Sequence, residues 1–212
     1  MHPTTYALIA VLAYLLGSIP FGYLLVRFFR KEDIRDSGSG NIGATNVIRS
    51  GAKGLGALTF LLDALKGWAA VFLGIAWAHH LGGSPIEMEN AIGLAALFAI
   101  LGHIYPVWLR FHGGKGVATA FGVFIALVPV AALLSLGIFV VVFALSRYVS
   151  LASIVAAIAF PVLALAWKHA AAGPVLVAVI IGIPLLVIAK HHANIARLVS
   201  GTEHRFGKAK PV

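Results

Sequence analysis

Apolar residues in this chain gather into seven runs, at 4–26, 55–78, 90–109, 116–131, 132–146, 150–167 and 174–190, with short glycine-rich or basic segments between them. A hydrocarbon core of about 30 Å takes about 20 apolar residues as a helix, so most of these runs have the length of a membrane crossing. Backbone in lipid must satisfy its own hydrogen bonds, which predicts helices throughout. The stretch 116–146 has 31 residues, long for one crossing and short for two, and Pro129 marks the expected break. The pattern predicts an all-α polytopic membrane protein with about seven transmembrane helices, forming one domain over 1–212.

Composition supports that class. Hydrophobic residues make up 60% and charged residues 11% of the 212, against roughly 45–50% apolar usage in soluble domains. The mean hydropathy is +0.97. The net charge of +9 would suit nucleic acid, but the basic residues flank the apolar runs, so no nucleic-acid partner is expected. Segment 27–53 carries six Lys/Arg, whereas 79–89 carries none and has two Glu. By the positive-inside rule the first lies in the cytoplasm and the second outside, so the N-terminus is outside and the chain re-enters the cytoplasm at Arg110. The tail beyond Lys190, with Arg197, Arg205, Lys208 and Lys210, belongs to the cytoplasm by the same rule. That requires an even number of crossings between 116 and 190, hence seven in all rather than six, with Arg147 inside and Lys168 outside. Run 4–26 has no Lys or Arg before it and four within nine residues after it, the reverse of a cleavable signal, so it is expected to be retained. With zero cysteines, disulfides, thiolate metal sites and a Cys nucleophile are excluded. No internal repeat is visible, which weakens a transporter built from inverted repeats.

Three polar segments fall on the same predicted face. Asp36 to Gly51, "DSGSGNIGATNVIRSG", is dense in Gly, Ser, Asn and Thr. Such a segment lets backbone N–H groups approach an anion, with Asn41 and Asn46 as amide donors and Arg49 suited to a bidentate phosphate contact. It would also serve as a flexible joint. The second, "RFHGGKGVAT" at 110–119, places Gly113, Gly114, Lys115 and Gly116 at the start of a helix, an anion nest at a positive helix end, or simply a turn with a snorkelling lysine. It is not a Walker A loop, because Leu109 replaces the first glycine and Gly116 the Ser/Thr. The third, Lys190 to Gly207, puts His191, Asn194 and Arg197 along one helical face if the last span continues, and would equally suit contact with anionic lipid. Convergence of all three on one aqueous face favours a phosphate site.

Inside the runs, Asp63 and Lys66 are three apart on the second and His103 ends the third; they are a structural ion pair or part of a site. Pro20, in "GSIPFG", should bend the first run near the cytoplasmic leaflet. No metal-ligand cluster is evident: the pairs His79/His80 and His191/His192 point to different helix faces. None of the nine His has Asp five residues later, which disfavours the His-base machinery of other glycerolipid acyltransferases.

At "GSIPFGYLL", "SGNIGATNVIR", "GHIYPVWLRFHGGKGVAT" and "HHANIARLVSGTE" the chain closely resembles the bacterial acyl-phosphate:glycerol-3-phosphate acyltransferases, the PlsY family. The matching stretches run from the first span to the tail; Tyr105 stands where the family more often has Phe. The resemblance implies a seven-span, bacterial inner-membrane enzyme with its active site and C-terminus in the cytoplasm; a monomer is expected. It would move a fatty acyl group from acyl phosphate to the sn-1 hydroxyl of glycerol-3-phosphate beside membrane lipids, with no cofactor or metal. The candidate catalytic residues are Ser39, Arg49, Lys115, His191 and Asn194. Gly38, Gly40, Asn41, Thr45, Asn46, Gly113, Gly114, Gly116 and Thr119 are the candidate substrate contacts. In this assignment Lys115 and the 113–116 amides hold acyl phosphate, and Arg49, Ser39 and Asn194 hold glycerol-3-phosphate. The hydroxyl proton passes to His191 or, preferably, to a substrate phosphate oxygen, since Glu203 is the only carboxylate in the three motifs as matched. A small organic-phosphate transporter or channel, or a noncatalytic scaffold, is the competing class.

Overall fold

The computed structural model describes residues 1–167 and 173–207. Lys168, Lys208 and Lys210 therefore lie outside the described residues. Among the described residues ten α-helices occur in order: α1 (Pro3–Gly17), α2 (Phe21–Arg30), α3 (Ala44–Arg49), α4 (Lys53–His80), α5 (Pro85–Ile104), α6 (Val117–Leu127), α7 (Pro129–Ser146), α8 (Val149–Trp167), α9 (Pro174–Ala189) and α10 (His192–Val199). No strand is present among the described residues.

Among the described residues five segments are long and apolar enough to cross a membrane: Pro3–Arg30 taken together, Lys53–His80, Pro85–Leu109, Pro129–Ser146 and Val149–Trp167. A sixth arises if α9 and α10, bent by 55° at their joint, count as one broken span. The run expected at 116–131 ends at Leu127 as an 11-residue helix, about 16 Å long and short of a full hydrocarbon core. Its break falls at Val128 rather than after residue 131, because Pro129 opens α7 in the first turn, where its missing N–H costs nothing. α7 gains those residues and reaches 18.

Helix α4 packs against α1, α2, α3, α5 and α6, while α7, α8 and α9 form a second row and α5 touches both α1 and α9. Small residues permit the closest approaches. A Cβ on Gly122 of α6 would stand 1.8 Å from the Ala64 carbonyl oxygen of α4, and one on Gly17 of α1 would stand 2.1 Å from the Ala99 carbonyl oxygen of α5. The core is correspondingly rich in alanine and valine. Large apolar side chains such as Leu133, Val140, Leu145 and Val162 face outward from α7 and α8, as lipid-facing positions do.

Contacts sort the chain ends onto two faces. On one, the N-terminal amine pairs with Glu87, and Glu89 accepts from the backbone N–H of Gly173 (3.0 Å) and Leu176 (3.1 Å). On the other, Phe206 N–H donates to the Arg147 carbonyl (3.0 Å) beside Arg49 and the start of α8. Helices α6 and α7 thus leave and return to the same face. The break between α1 and α2 exposes the Ile19 carbonyl, which accepts from Lys66 Nζ at 2.7 Å. Lys66 also pairs with Asp63 Oδ1 at 2.8 Å, and His103 Nδ1 lies 3.6 Å from the same oxygen.

Candidate active site

The first polar segment is organised by one side chain. Asn46, 2% exposed, holds its Nδ2 within 2.8–3.1 Å of the carbonyls of Ile34, Ser37 and Asn41, and its Oδ1 accepts from Ser39 N–H at 2.9 Å. Gly38 (φ +59) and Gly40 (φ +68) supply the left-handed turns that wrap the chain around it. Asn41 Oδ1 accepts from Gly43 N–H (2.9 Å) and opens α3, which carries Thr45 near its start and Arg49 at its end.

In the second segment the chain folds back on α5: Gly113 N–H donates to the Ile104 carbonyl (3.1 Å) and Gly114 N–H to that of His103 (3.0 Å). Asn41 Nδ2 reaches the Gly113 carbonyl at 3.5 Å and ties the first two segments together. Gly116 (φ +85) caps α6.

The third segment does not continue as one helix. His191 sits at the joint after α9, and its Nδ1 lies 2.8 Å from the Val187 carbonyl. A carbonyl only accepts, so Nδ1 carries the proton and Nε2 of the neutral ring is left as an acceptor. Asn194 on α10 accepts from Lys115 Nζ (2.5 Å) and donates to Glu203 Oε1 (2.8 Å). Glu203, 7% exposed, also accepts from Ser150 Oγ (2.9 Å) and, through Oε2, from Arg197 Nε (2.7 Å).

These segments border one cavity of about 260 Å³. Its polar end is lined by Ser39, Asn41, Thr45, Arg49, Lys115, Gly116, His191 and Asn194, with Asp63 and His103 behind them. Its other end is lined by Phe60, Phe121, Phe124, Leu136, Phe139, Ala157 and Phe160 from α4, α6, α7 and α8. Phe124 and Phe160 stack there with centroids 3.7 Å apart.

Electrostatically the polar end is cationic and partly desolvated. Burial pulls the Lys115 ammonium down to about 8, against the opposing pull of Glu203. Burial likewise lowers the Arg49 guanidinium, whose Nε is buried with no hydrogen-bond partner among the described residues. Burial works against the Glu203 carboxylate, but the hydrogen bonds from Asn194, Arg197 and Ser150 outweigh it and hold the group below its ordinary value.

The structure places the expected site residues unevenly. Gly38, Gly40, Gly113, Gly114 and Thr119 do not line the cavity. The two amides of Gly113 and Gly114 are committed to α5 carbonyls, so the expected nest is reduced to Lys115, Gly116 and the N–H groups that follow. Thr119 packs its backbone and methyl against Gly67 of α4. Asn46 borders the cavity, and its amide is satisfied within its own loop. Asn194 is likewise committed at both ends, to Lys115 and Glu203. Sequence reasoning assigned no role to Glu203, Ser150 or Phe206. Only Glu203 left a trace, as the lone carboxylate of its motif; Ser150 and Phe206 are ordinary residues until the fold brings them in.

Comparison with known proteins bears on the family of the chain. The family profile described as "Glycerol-3-phosphate acyltransferase" matches residues 7–201. Relatives carrying the same description include one from Syntrophotalea carbinolica, 46% identical over 203 residues (96% of this chain, 98% of the relative). Another, from Mesorhizobium japonicum, is 49% identical over 205 residues (96% and 98%). Among solved structures, the crystal structure of PlsY (YgiH), an integral membrane glycerol 3-phosphate acyltransferase, in its glycerol 3-phosphate form, superposes with a TM-score of 0.83 at 42% identity, covering 95% of this chain and 96% of that one. Its lysophosphatidic acid form gives 0.81 at the same identity, covering 95% of each. With a profile match along nearly its whole length and relatives near half identical, the chain belongs to the glycerol-3-phosphate acyltransferase family.

Proposed function

We propose that this multi-pass membrane acyltransferase moves a fatty acyl group from acyl phosphate to the sn-1 hydroxyl of glycerol-3-phosphate, giving 1-acyl-glycerol-3-phosphate and inorganic phosphate. The observation that carries the reading is a single cavity with a cationic, donor-rich end continuous with a phenylalanine-lined slot between membrane helices. A lipid-borne acyl donor and a water-soluble phosphate acceptor need both ends of such a cavity. The two forms of the solved PlsY, with glycerol 3-phosphate and with lysophosphatidic acid, favour the same acceptor and product here.

In this reading Lys115 and the N–H groups from it onward hold the acyl-phosphate headgroup, with the chain in the slot. Arg49, Ser39 and Thr45 hold glycerol-3-phosphate, and Asn194 keeps Lys115 in place. The acceptor hydroxyl oxygen bonds to the acyl carbon, the bond from that carbon to the phosphate oxygen breaks, and the hydroxyl proton leaves with the phosphate. His191 Nε2 accepts a hydrogen bond from the neighbouring sn-2 hydroxyl and orients the acceptor. An acyl phosphate is an activated mixed anhydride, so orientation and donors aimed at developing charge suffice without a covalent nucleophile. The chain crosses the bacterial inner membrane seven times as a monomer, α6 being a short crossing, with the N-terminus outside and the site facing the cytoplasm; the distribution of Lys and Arg supports this orientation.

Purified protein in detergent should release phosphate from palmitoyl phosphate only when glycerol-3-phosphate is added, with stoichiometric lysophosphatidate. A transporter or scaffold would release none. His191→Asn should keep kcat within about tenfold of the parent; a loss beyond about 10²-fold would instead make His191 the general base.

A further inference from the structure

Beyond α10 the chain turns at Gly201 (φ +71), buries Glu203, and runs on to the junction of α7 and α8. There Arg205 Nε donates to the Ser146 carbonyl (3.2 Å) and Phe206 N–H to the Arg147 carbonyl (3.0 Å). This strap delivers one aromatic ring to Arg49, which lines the polar end of the cavity. The Arg49 guanidinium carbon lies 5.4 Å from the centroid of the Phe206 ring. The ring is itself held edge-to-face by Phe143 (5.7 Å, 82°) and packs against His204 (5.6 Å).

Arg49 needs such a support. It ends the six-residue helix α3, lines the cavity, and its buried Nε has no hydrogen-bond partner among the described residues. Glu203 and Arg197, the charged groups nearest in the third segment, are occupied with each other at 2.7 Å. A guanidinium over an aromatic face is fixed in plane while its N–H edges stay open. An arginine kept off a carboxylate in this way retains its donors for an incoming anion.

We propose that Phe206 is a positioning residue for the acceptor's phosphate, acting through Arg49: its ring face sets the plane of the guanidinium that binds glycerol-3-phosphate. The position lies beyond the 7–201 stretch that the family profile matches. The inference rests on the placement of glycerol-3-phosphate at Arg49 argued above.

Isothermal titration of glycerol-3-phosphate into the detergent-solubilised full chain tests it. Phe206→Leu keeps an apolar side chain against Phe143 and removes the ring face; the dissociation constant should rise about tenfold, within the roughly twofold to thirtyfold range of a cation–π contact. Phe206→Trp should bind as the parent does. Replacement of Phe206 by 3,4,5-trifluorophenylalanine, which preserves shape and depletes the π face, should weaken binding even if Phe206→Leu melts early. Arg49→Ala should lose at least as much affinity, and adding Phe206→Leu to it should lose nothing more. Parent-like binding by both the leucine and the fluorinated variants would overturn the proposal. So would a full Phe206→Leu effect in the Arg49→Ala background, or a tryptophan variant as weak as the leucine one. If Arg49→Ala itself binds glycerol-3-phosphate normally, the placement of the acceptor at Arg49 fails and takes this inference with it. A loss in Arg49→Ala with none in the Phe206 variants removes only the Phe206 link.

Discussion

Lys115 and Asn194 stand 79 residues apart in the chain and 2.5 Å apart in the fold. Both residue types were readable as phosphate donors, yet only the fold shows that they bond to each other, the contact on which the proposed division of roles rests. Burial brings the Lys115 ammonium to about 8, which makes its charge, and with it acyl-phosphate binding, sensitive to mild alkali. A lowered lysine value means the cation is present below about 8 and lost above it. The KM for palmitoyl phosphate should therefore climb by up to about tenfold per pH unit above 8, because the charged fraction falls by that factor. Lys115→Arg, whose guanidinium stays charged past pH 12, should abolish that alkaline rise whatever its effect on absolute affinity. A rise unchanged in the arginine variant would assign the titration elsewhere. Glu203 illustrates the opposite limit of legibility, since a lone tail carboxylate reads as solvated until Ser150, Asn194 and Arg197 are seen around it.

At the scale of elements, hydrophobic periodicity and proline position carried most of the information. Pro85, Pro129 and Pro174 each open a helix, and Pro20 sits in the gap between α1 and α2. What the apolar runs do not reveal is which of their faces surround empty space. Helices α6, α7 and α8 read as uniformly apolar, yet they place Phe121, Phe139 and Ala157 around a slot and Leu133, Val140 and Val162 toward lipid. Ala157 gives a handle on that slot. Ala157→Phe should raise the KM for palmitoyl phosphate by about tenfold or more, the scale of overpacking by 1–3 kcal/mol, while decanoyl phosphate is affected less. Equal kinetics for both chains in the variant would place the acyl group outside the slot.

For the whole molecule, contacts sort the polar segments and the N-terminus onto two opposite faces. Arg49, Lys115, Asn194 and the 203–206 strap meet at one face, while the N-terminus and residues 87, 89 and 173 meet at the other. The proposed orientation can be checked directly, because a chain with no cysteine permits single-cysteine labelling without background. In intact cells a membrane-impermeant maleimide should label Gly82→Cys and spare Gly201→Cys, and permeabilised cells should label both. The reverse pattern would invert the topology and place the site outside.

Membrane class, helical content, the approximate helix boundaries and the identity of most cavity-lining polar residues were determined by sequence alone, because lipid solvation forces helices and because phosphate chemistry draws on few residue types. Tertiary structure alone decided which of those residues keep a free donor. The amides of Gly113 and Gly114 and the carboxamides of Asn46 and Asn194 are already engaged, since buried polar groups bond to whatever the fold brings within reach. The guanidinium of Arg49, held against Phe206, keeps its Nε–H unclaimed at the cavity's polar end, and no pattern along the chain distinguishes it from the arginines that are paired.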